Sequence, residues 1–229
     1  MVKNKAFIIS LGGSLIVPNG GIDWQFLKKF RNLIIEQTKE GKSFFIIAGG
    51  GSTCRHYQNA AEKVIKIEPE DLDWLGIHAT RLNAHLLRTI FFDIAHAEVI
   101  KNPTFRMSTN KKVLIAGGWK PGWSTDYVAT MIAQEYEVKT VINLSNIDYA
   151  YDKDPKKFKD AKKLENINWN DFRKIVGDKW VPGMSAPFDP IASQKAQSLG
   201  LEVMIMNGKN SVNLKKCLDG KKFAGTIIK

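Results

Sequence analysis

Three short apolar runs in this chain each stop at a cluster of glycines, and that pattern restricts the fold more than any other feature. Ala6–Leu11 runs into Gly12-Gly13, residues 44–48 run into Gly49-Gly50-Gly51, and Val113–Ala116 runs into Gly117-Gly118. Runs this short and this apolar are suited to strands buried on both faces. Between them the period changes to that of a helix. Asp23 is a good N-cap, and Phe26, Leu27, Phe30 and Ile34 recur behind it until Gly41. Ser52-Thr53 predicts the cap of another helix. Pro69 opens a long helix with Leu72, Leu75, Leu82, Leu86 and Ile90 expected on one face. Further strands are expected at 140–144, 201–206 and 225–228, and Asp189-Pro190 has the cap-then-proline order of a helix start. The alternation predicts an α/β fold with a mostly parallel sheet. In such sheets ligands bind outside the carboxyl ends of the strands, where these glycines fall.

Composition narrows the function classes. The 229 residues hold 34 Lys and Arg against 23 Asp and Glu, a formal charge of +11. A basic excess suits polyanions, whether nucleic acid, nucleotide phosphates or an acidic membrane, and it equally describes a lysine-rich surface. Residues 153–163, the densest basic cluster, are expected to be a solvated loop. No zinc-finger spacing or RNA-binding motif is present, so no nucleic-acid partner is expected. No apolar run reaches the roughly 18–20 residues of a membrane span, and the first residues lack the pattern of a signal peptide. Cys54 and Cys217 cannot make a multi-bridge scaffold, so a cytoplasmic location is expected.

Glycine turns before helices can cradle phosphates, because the backbone comes close and the first helical amides are free. Gly49-Gly50-Gly51-Ser52-Thr53 has that form, with Arg55 one turn in, where a guanidinium could grip a phosphate. Neither a P-loop nor a dinucleotide G-x-G-x-x-G is present. The most specific stretch is 117–126, Gly-Gly-Trp-Lys-Pro-Gly-Trp-Ser-Thr-Asp, which sets two hydroxyls and a carboxylate at a helix start. Trp119, Trp123 and Tyr127 could stack on a base or pack in the core. His56, His78, His85 and His96 accompany no nucleophile motif.

These stretches resemble the amino acid kinase family, and within it the archaeal-type branch that phosphorylates UMP. Ser10 to Ser14 is similar to the family's first glycine turn, and 49–55 to its acceptor-phosphate loop. Residues 73–83 resemble the helix beside the acceptor nucleoside, and 117–126 the G-G-x-x-P-G-x-S-T-D loop. Residues 145–155 resemble the nucleotide segment, and Asp189 to Ala192 the D-P-x-A helix start. The resemblance implies a single αβα sandwich over 1–229, with an acceptor half at about 1–135 and an ATP half at about 136–229. It implies ATP and Mg²⁺, UDP formation in pyrimidine nucleotide synthesis, and a homo-oligomer, commonly a hexamer. By resemblance, Gly50, Gly51 and Arg55 would hold the UMP phosphate, Asp73 the ribose, and Gly118, Ser124 and Thr125 the acceptor nucleotide. Ser145, Asn146, Asp148, Tyr151 and Asp154 would hold ATP. Asp126, with Gly12 and Gly13, would form the transfer centre. No residue is assigned as a protein metal ligand.

The chain departs from that pattern in places. Many members carry a lysine two residues before the first glycine, where this chain has Ser10. A second common lysine, five residues after the D-P-x-A aspartate, is Gln194 here, with Lys195 beside it. Tyr149 replaces a usual glycine. Losing one preorganised donor can cost roughly 10²–10³ in rate. Lys120, Lys153 and Lys156 are the expected sources of replacement charge. A kinase for another small acid or phosphate, and a non-catalytic nucleotide-binding or storage protein, are the competing expectations.

Overall fold

The computed structural model describes residues 5–155, 157–179 and 186–229. In chain order the elements are β1 (Ala6–Leu11), α1 (Gly13–Ile16), α2 (Trp24–Lys39), β2 (Ser43–Ala48), α3 (Gly51–Val64), α4 (Pro69–Ile90) and β3 (Val113–Ala116). There follow α5 (Thr125–Glu135), β4 (Thr140–Ser145), β5 (Ala150–Tyr151), β6 (Lys163–Leu164), β7 (Asn166–Ile167) and α6 (Trp169–Val176). The last four are α7 (Pro190–Ser198), β8 (Glu202–Asn207), α8 (Ser211–Leu218) and β9 (Thr226–Ile228). Seven strands form one sheet in the order β3-β2-β1-β4-β8-β9-β7, parallel except where β9 runs against β8. β5 and β6 make a separate antiparallel pair.

Alternation along the strands divides the core into two layers. On β1, Phe7, Ile9 and Leu11 pack with α1, α2, α4 and α8, whereas Ile8 turns to the face covered by α5, α6 and α7. The αβα sandwich expected from the sequence is therefore present. The chain lays down β1, β2 and β3 in one direction and then returns to place β4 on the other side of β1. The β1/β4 boundary is thus the topological switch point, where two connections diverge and leave a crevice.

Local signals explain most element boundaries. Asp23 caps α2 by accepting from the Phe26 amide at 2.9 Å, and Gly41 leaves it with φ +90°. Asp189 caps α7 through the Ala192 amide at 2.5 Å. Two expectations are corrected. α3 starts at Gly51 with Gly50 as its N-cap, and no side chain caps it; the Ser52 hydroxyl instead donates to the Pro18 carbonyl at 2.8 Å. The leucine stripe of α4 is not its buried face either. Ile77, Ala79, Thr80, Asn83, Ala84 and Leu87 are buried, while Leu82 is 62% exposed. Leu86 and Ile90 of the stripe pack against the core from its margin, while Thr80 and Ile77 take the positions that meet the glycine turns.

The first two glycine turns touch backbone to backbone. A Cβ on Gly13 would lie 2.0 Å from the Gly51 amide nitrogen. One on Gly51 would lie 2.4 Å from the Gly13 carbonyl, and Gly51 itself has φ +64°. Both positions are closed to any side chain. We expect Gly13→Ala to destabilise by roughly 3 kcal/mol or more, through backbone displacement in a packed core. Gly20→Ala, with open space around its Cβ, should stay within about 0.5 kcal/mol of wild type. Thermal or urea unfolding of the two variants measures the difference.

Candidate active site

A cavity of about 400 Å³ opens along the carboxyl ends of β1, β2, β3 and β4. Its walls include Gly12 and Gly13 from the first turn, Gly49, Gly50 and Gly51 from the second, and Gly118 from the third. α3 and α5 both point their N-termini into it, through Gly50 and Gly51 on one side and Ser124, Thr125 and Asp126 on the other. The amides of Gly13, Gly50 and Gly51 have no hydrogen-bond partner among the described residues. The Gly12 amide is committed to the Leu144 carbonyl at 2.8 Å. Of the first turn, then, only the Gly13 amide is left for a ligand. Free amides and two helix dipoles converging on one space favour an anion there.

α4 holds the glycine turns in place. Asn83, 3% exposed, donates to the Gly49 carbonyl at 2.8 Å and the Gly50 carbonyl at 3.1 Å. Thr80 accepts from the Gly118 amide at 2.7 Å. Arg81 donates to the Gly118 and Trp119 carbonyls at 3.1 and 2.8 Å. Asp73 accepts from the Gly122 amide at 2.7 Å, which ties the loop after β3 to the start of α4. Trp119, Trp123 and Tyr127 stack in that loop, with centroids 6.2 and 4.0 Å apart, and Trp123 reaches the cavity wall.

At the switch point the cavity floor is built around Asp126, the second residue of α5. Its Oδ1 accepts from the Ser10 hydroxyl at 2.8 Å and from Asn143 Nδ2 at 3.3 Å. Its Oδ2 accepts from the Asp189 amide at 3.2 Å. Burial pushes the Asp126 carboxyl up to about 6; the Ser10 hydrogen bond opposes the rise, and the nearby Asp189 charge adds to it. Asp189 is itself raised by burial, against hydrogen bonds from the Ala192 amide and the Ser124 hydroxyl.

The expected acceptor-side and transfer-centre residues all share this cavity: Gly12, Gly13, Gly50, Gly51, Arg55, Asp73, Gly118, Ser124, Thr125 and Asp126 line it. Of the residues expected to hold ATP, Ser145 lines it, while Asn146, Asp148, Tyr151 and Asp154 lie outside its walls. Asp148 instead accepts from Asn207 at 3.0 Å, joining the ends of β4 and β8. Arg55 is the one cation among the described lining residues. Lys120 and Lys153 do not join it: Lys120 lies over the Trp119 ring and Lys153 pairs with Asp160 at 2.6 Å; Lys156 lies outside the described residues. Gln194 is exposed on α7, and neither it nor Lys195 reaches the cavity. Gln58 and Asn143, which carry no motif, line the cavity unforeseen, as does Cys54, which had no role assigned within 49–55. A polar residue inside the apolar run of β4 was the available signal for Asn143.

A glycine-lined trough across parallel strand ends, with a buried carboxylate at the switch point, is the candidate site of this α/β protein. The model of the amino acid kinase family matches residues 5–207. The chain is 30% identical over 224 residues to the uridylate kinase of Methanospirillum hungatei, covering 96% of this chain and 93% of that one. It is 34% identical over 202 residues to the uridylate kinase of Sulfurisphaera tokodaii, covering 86% and 88%. The crystal structure of uridylate kinase from Archaeoglobus fulgidus superposes with a TM-score of 0.83 at 27% identity, covering 97% and 99%. The chain belongs to the amino acid kinase family. Among its described residues no helix is long and apolar enough to cross a membrane.

Asn83 is the cheapest place to loosen the trough without touching a ligand. Asn83→Ala leaves the Gly49 and Gly50 carbonyls without their side-chain donor, so a loss of about 1–3 kcal/mol is expected. Urea unfolding measures it, and an unchanged midpoint would mean that α4 does not hold the turn.

Proposed function

We propose that the protein is a nucleoside monophosphate kinase that transfers the γ-phosphoryl group of ATP to UMP, giving ADP and UDP. One observation carries the reading. The triple-glycine turn, the free amides at the start of α3 and Arg55 share a cavity with the Asp126 centre. The names of the relatives support the choice of acceptor.

The chemistry follows from charge. A nucleoside monophosphate has a second pKa near ~6, so at neutral pH its attacking oxygen is already largely anionic. That oxygen forms a bond to the γ-phosphorus as the bond to the β–γ bridging oxygen breaks, and ADP departs. No strong base is required; alignment and charge compensation dominate. Mg²⁺ would enter with the donor substrate as MgATP and would offset charge on the transferred group. In this reading Gly50, Gly51 and Arg55 hold the acceptor phosphate. Asp73 retains an oxygen for the ribose beside the one given to Gly122. Gly118, Ser124 and Thr125 face the acceptor, Gly13 approaches the transferring group, and Asp126 orients the centre. Ser145, Asn146, Asp148, Tyr151 and Asp154 serve ATP, so residues 1–135 form the acceptor half and 136–229 the donor half. In this reading the protein is a homo-oligomer working in the cytoplasm; the exposed apolar side chains of Leu82 on α4, Val64 and Ile65 at the end of α3, and Phe92 support the oligomer.

A coupled ADP-release assay over UMP, CMP, dUMP and small acids tests the reading, with UMP expected as the best acceptor. Arg55→Ala should raise the KM for UMP at least about tenfold, the scale of a lost charge-assisted contact, and leave the KM for ATP within about threefold. An unchanged KM for UMP would remove the acceptor-phosphate site from this turn. The scarcity of cations on the cavity wall favours a second reading, nucleotide binding without transfer. Tight binding with no ADP release would decide for it.

A further inference from the structure

We propose that Ser10 and Asn143 are positioning residues, a pair of uncharged donors that hold Asp126 as an anion at the transfer centre. The inference rests on the reading of Asp126 given above.

The pair is created by strand register. Ser10 on β1 stands opposite Asn143 on β4 in the parallel ladder. Both side chains fall on the α5 face, since Ile8 and Val141, two residues earlier on each strand, pack there. They are 4% and 6% exposed, polar groups in otherwise apolar strands. Both donate to the same oxygen, Asp126 Oδ1. The Asp189 amide takes the other oxygen, and Asn143 also donates to the Pro187 carbonyl at 3.3 Å. An amide N–H can only donate, so these contacts suit a carboxylate.

The surroundings decide what that clamp must overcome. Asp189, from the start of α7, is the titratable group that acts on Asp126, and its charge disfavours a second anion. Among the described residues, β1 and β4 give Asp126 its hydrogen bonds from Ser10 and Asn143, Ser145 of β4 also lines the cavity, and the segment before α7 offers the Pro187 carbonyl to Asn143. On α5 the neighbours are Ser124, Thr125 and Tyr127. Arg55 and Cys54 on α3 and Asp73 on α4 line the far walls of the cavity. Burial and the Asp189 charge push toward the protonated form; the Ser10 hydroxyl and the Asp189 amide pull back, and Asn143 donates to the same oxygen as Ser10. Loss of the clamp therefore moves the titration of Asp126 upward. A lysine at position 10 would do the same work by charge. Two neutral donors do it by geometry, and they leave the centre sensitive to mild acid.

The experiment compares wild type, Ser10→Ala, Ser10→Thr and Asn143→Ala. In the substrate-free protein, carbon NMR of the ¹³C-labelled aspartate carboxyls follows Asp126 directly and does not depend on the acceptor being UMP. Ser10→Ala should raise its midpoint by about one unit, the scale of one hydrogen bond to a charged group. Asn143→Ala should raise it by a smaller amount, and Ser10→Thr should restore the wild-type value. With ATP and UMP, the acid limb of kcat/KM should shift upward in Ser10→Ala alongside the NMR midpoint. The phosphate of UMP also titrates near ~6, but its own midpoint is the same for every variant. A purely structural role would lower kcat or stability without moving either midpoint. An Asp126 midpoint in Ser10→Ala equal to wild type would overturn the clamp. A shifted NMR midpoint in a protein that does not phosphorylate UMP would uphold the clamp and reject the acceptor.

Discussion

The contact between two stretches of bare backbone, Gly13 against Gly49 and Gly51, organises this molecule. With no side chain between them, the turns leaving β1 and β2 meet at distances no Cβ could occupy. That approach brings α3's N-terminus to the carboxyl end of β1, next to the switch point where β4 joins. Everything that makes the cavity an anion site follows: free amides, a helix dipole and an arginine one turn in. The glycines are thus required by packing before any ligand arrives. In the proposed reading the phosphate cradle and the tight turn are the same object.

α4 translates that geometry into rigidity. Its buried face reads Ile77, Thr80, Asn83, Ala84 and Leu87, and its polar members hold glycine carbonyls and amides through hydrogen bonds. Arg81 and Asp73 extend the hold to the loop after β3. Preorganised donors are worth more in catalysis than mobile ones because no reorganisation occurs at the moment of transfer. On the opposite face of the sheet, Ser10 and Asn143 do for Asp126 what α4 does for the turns.

Much of this could be read from the sequence because it was local. Apolar runs ending in glycine marked β1, β2 and β3, and Asp23, Ser124 and Asp189 each cap the helix they precede. What escaped was long-range. The leucines of α4 follow a helical period, yet the period does not say which of two faces meets the sheet. Ser52 and Thr53 resemble a cap, yet Gly50 takes that place because the chain turns earlier than residue type suggests. Ser10 stood out only as a missing lysine. Its partnership with Asn143 depends on β1 and β4 being neighbours, and their separation in sequence hides that. The expected ATP residues beyond Ser145 sit around, and not in, the cavity walls, since a resemblance between segments does not fix their distance from the floor.

The account stands or falls on whether backbone amides at the first two turns receive a phosphate. Amide nitrogen–proton NMR during titration with UMP asks this residue by residue. The expected result is large shifts at Gly50 and Gly51 and a smaller one at Gly13, which touches Gly51, with little change in α8 and β9. Saturating UMP that leaves those three amides in place, while shifts gather elsewhere on the molecule, would contradict it.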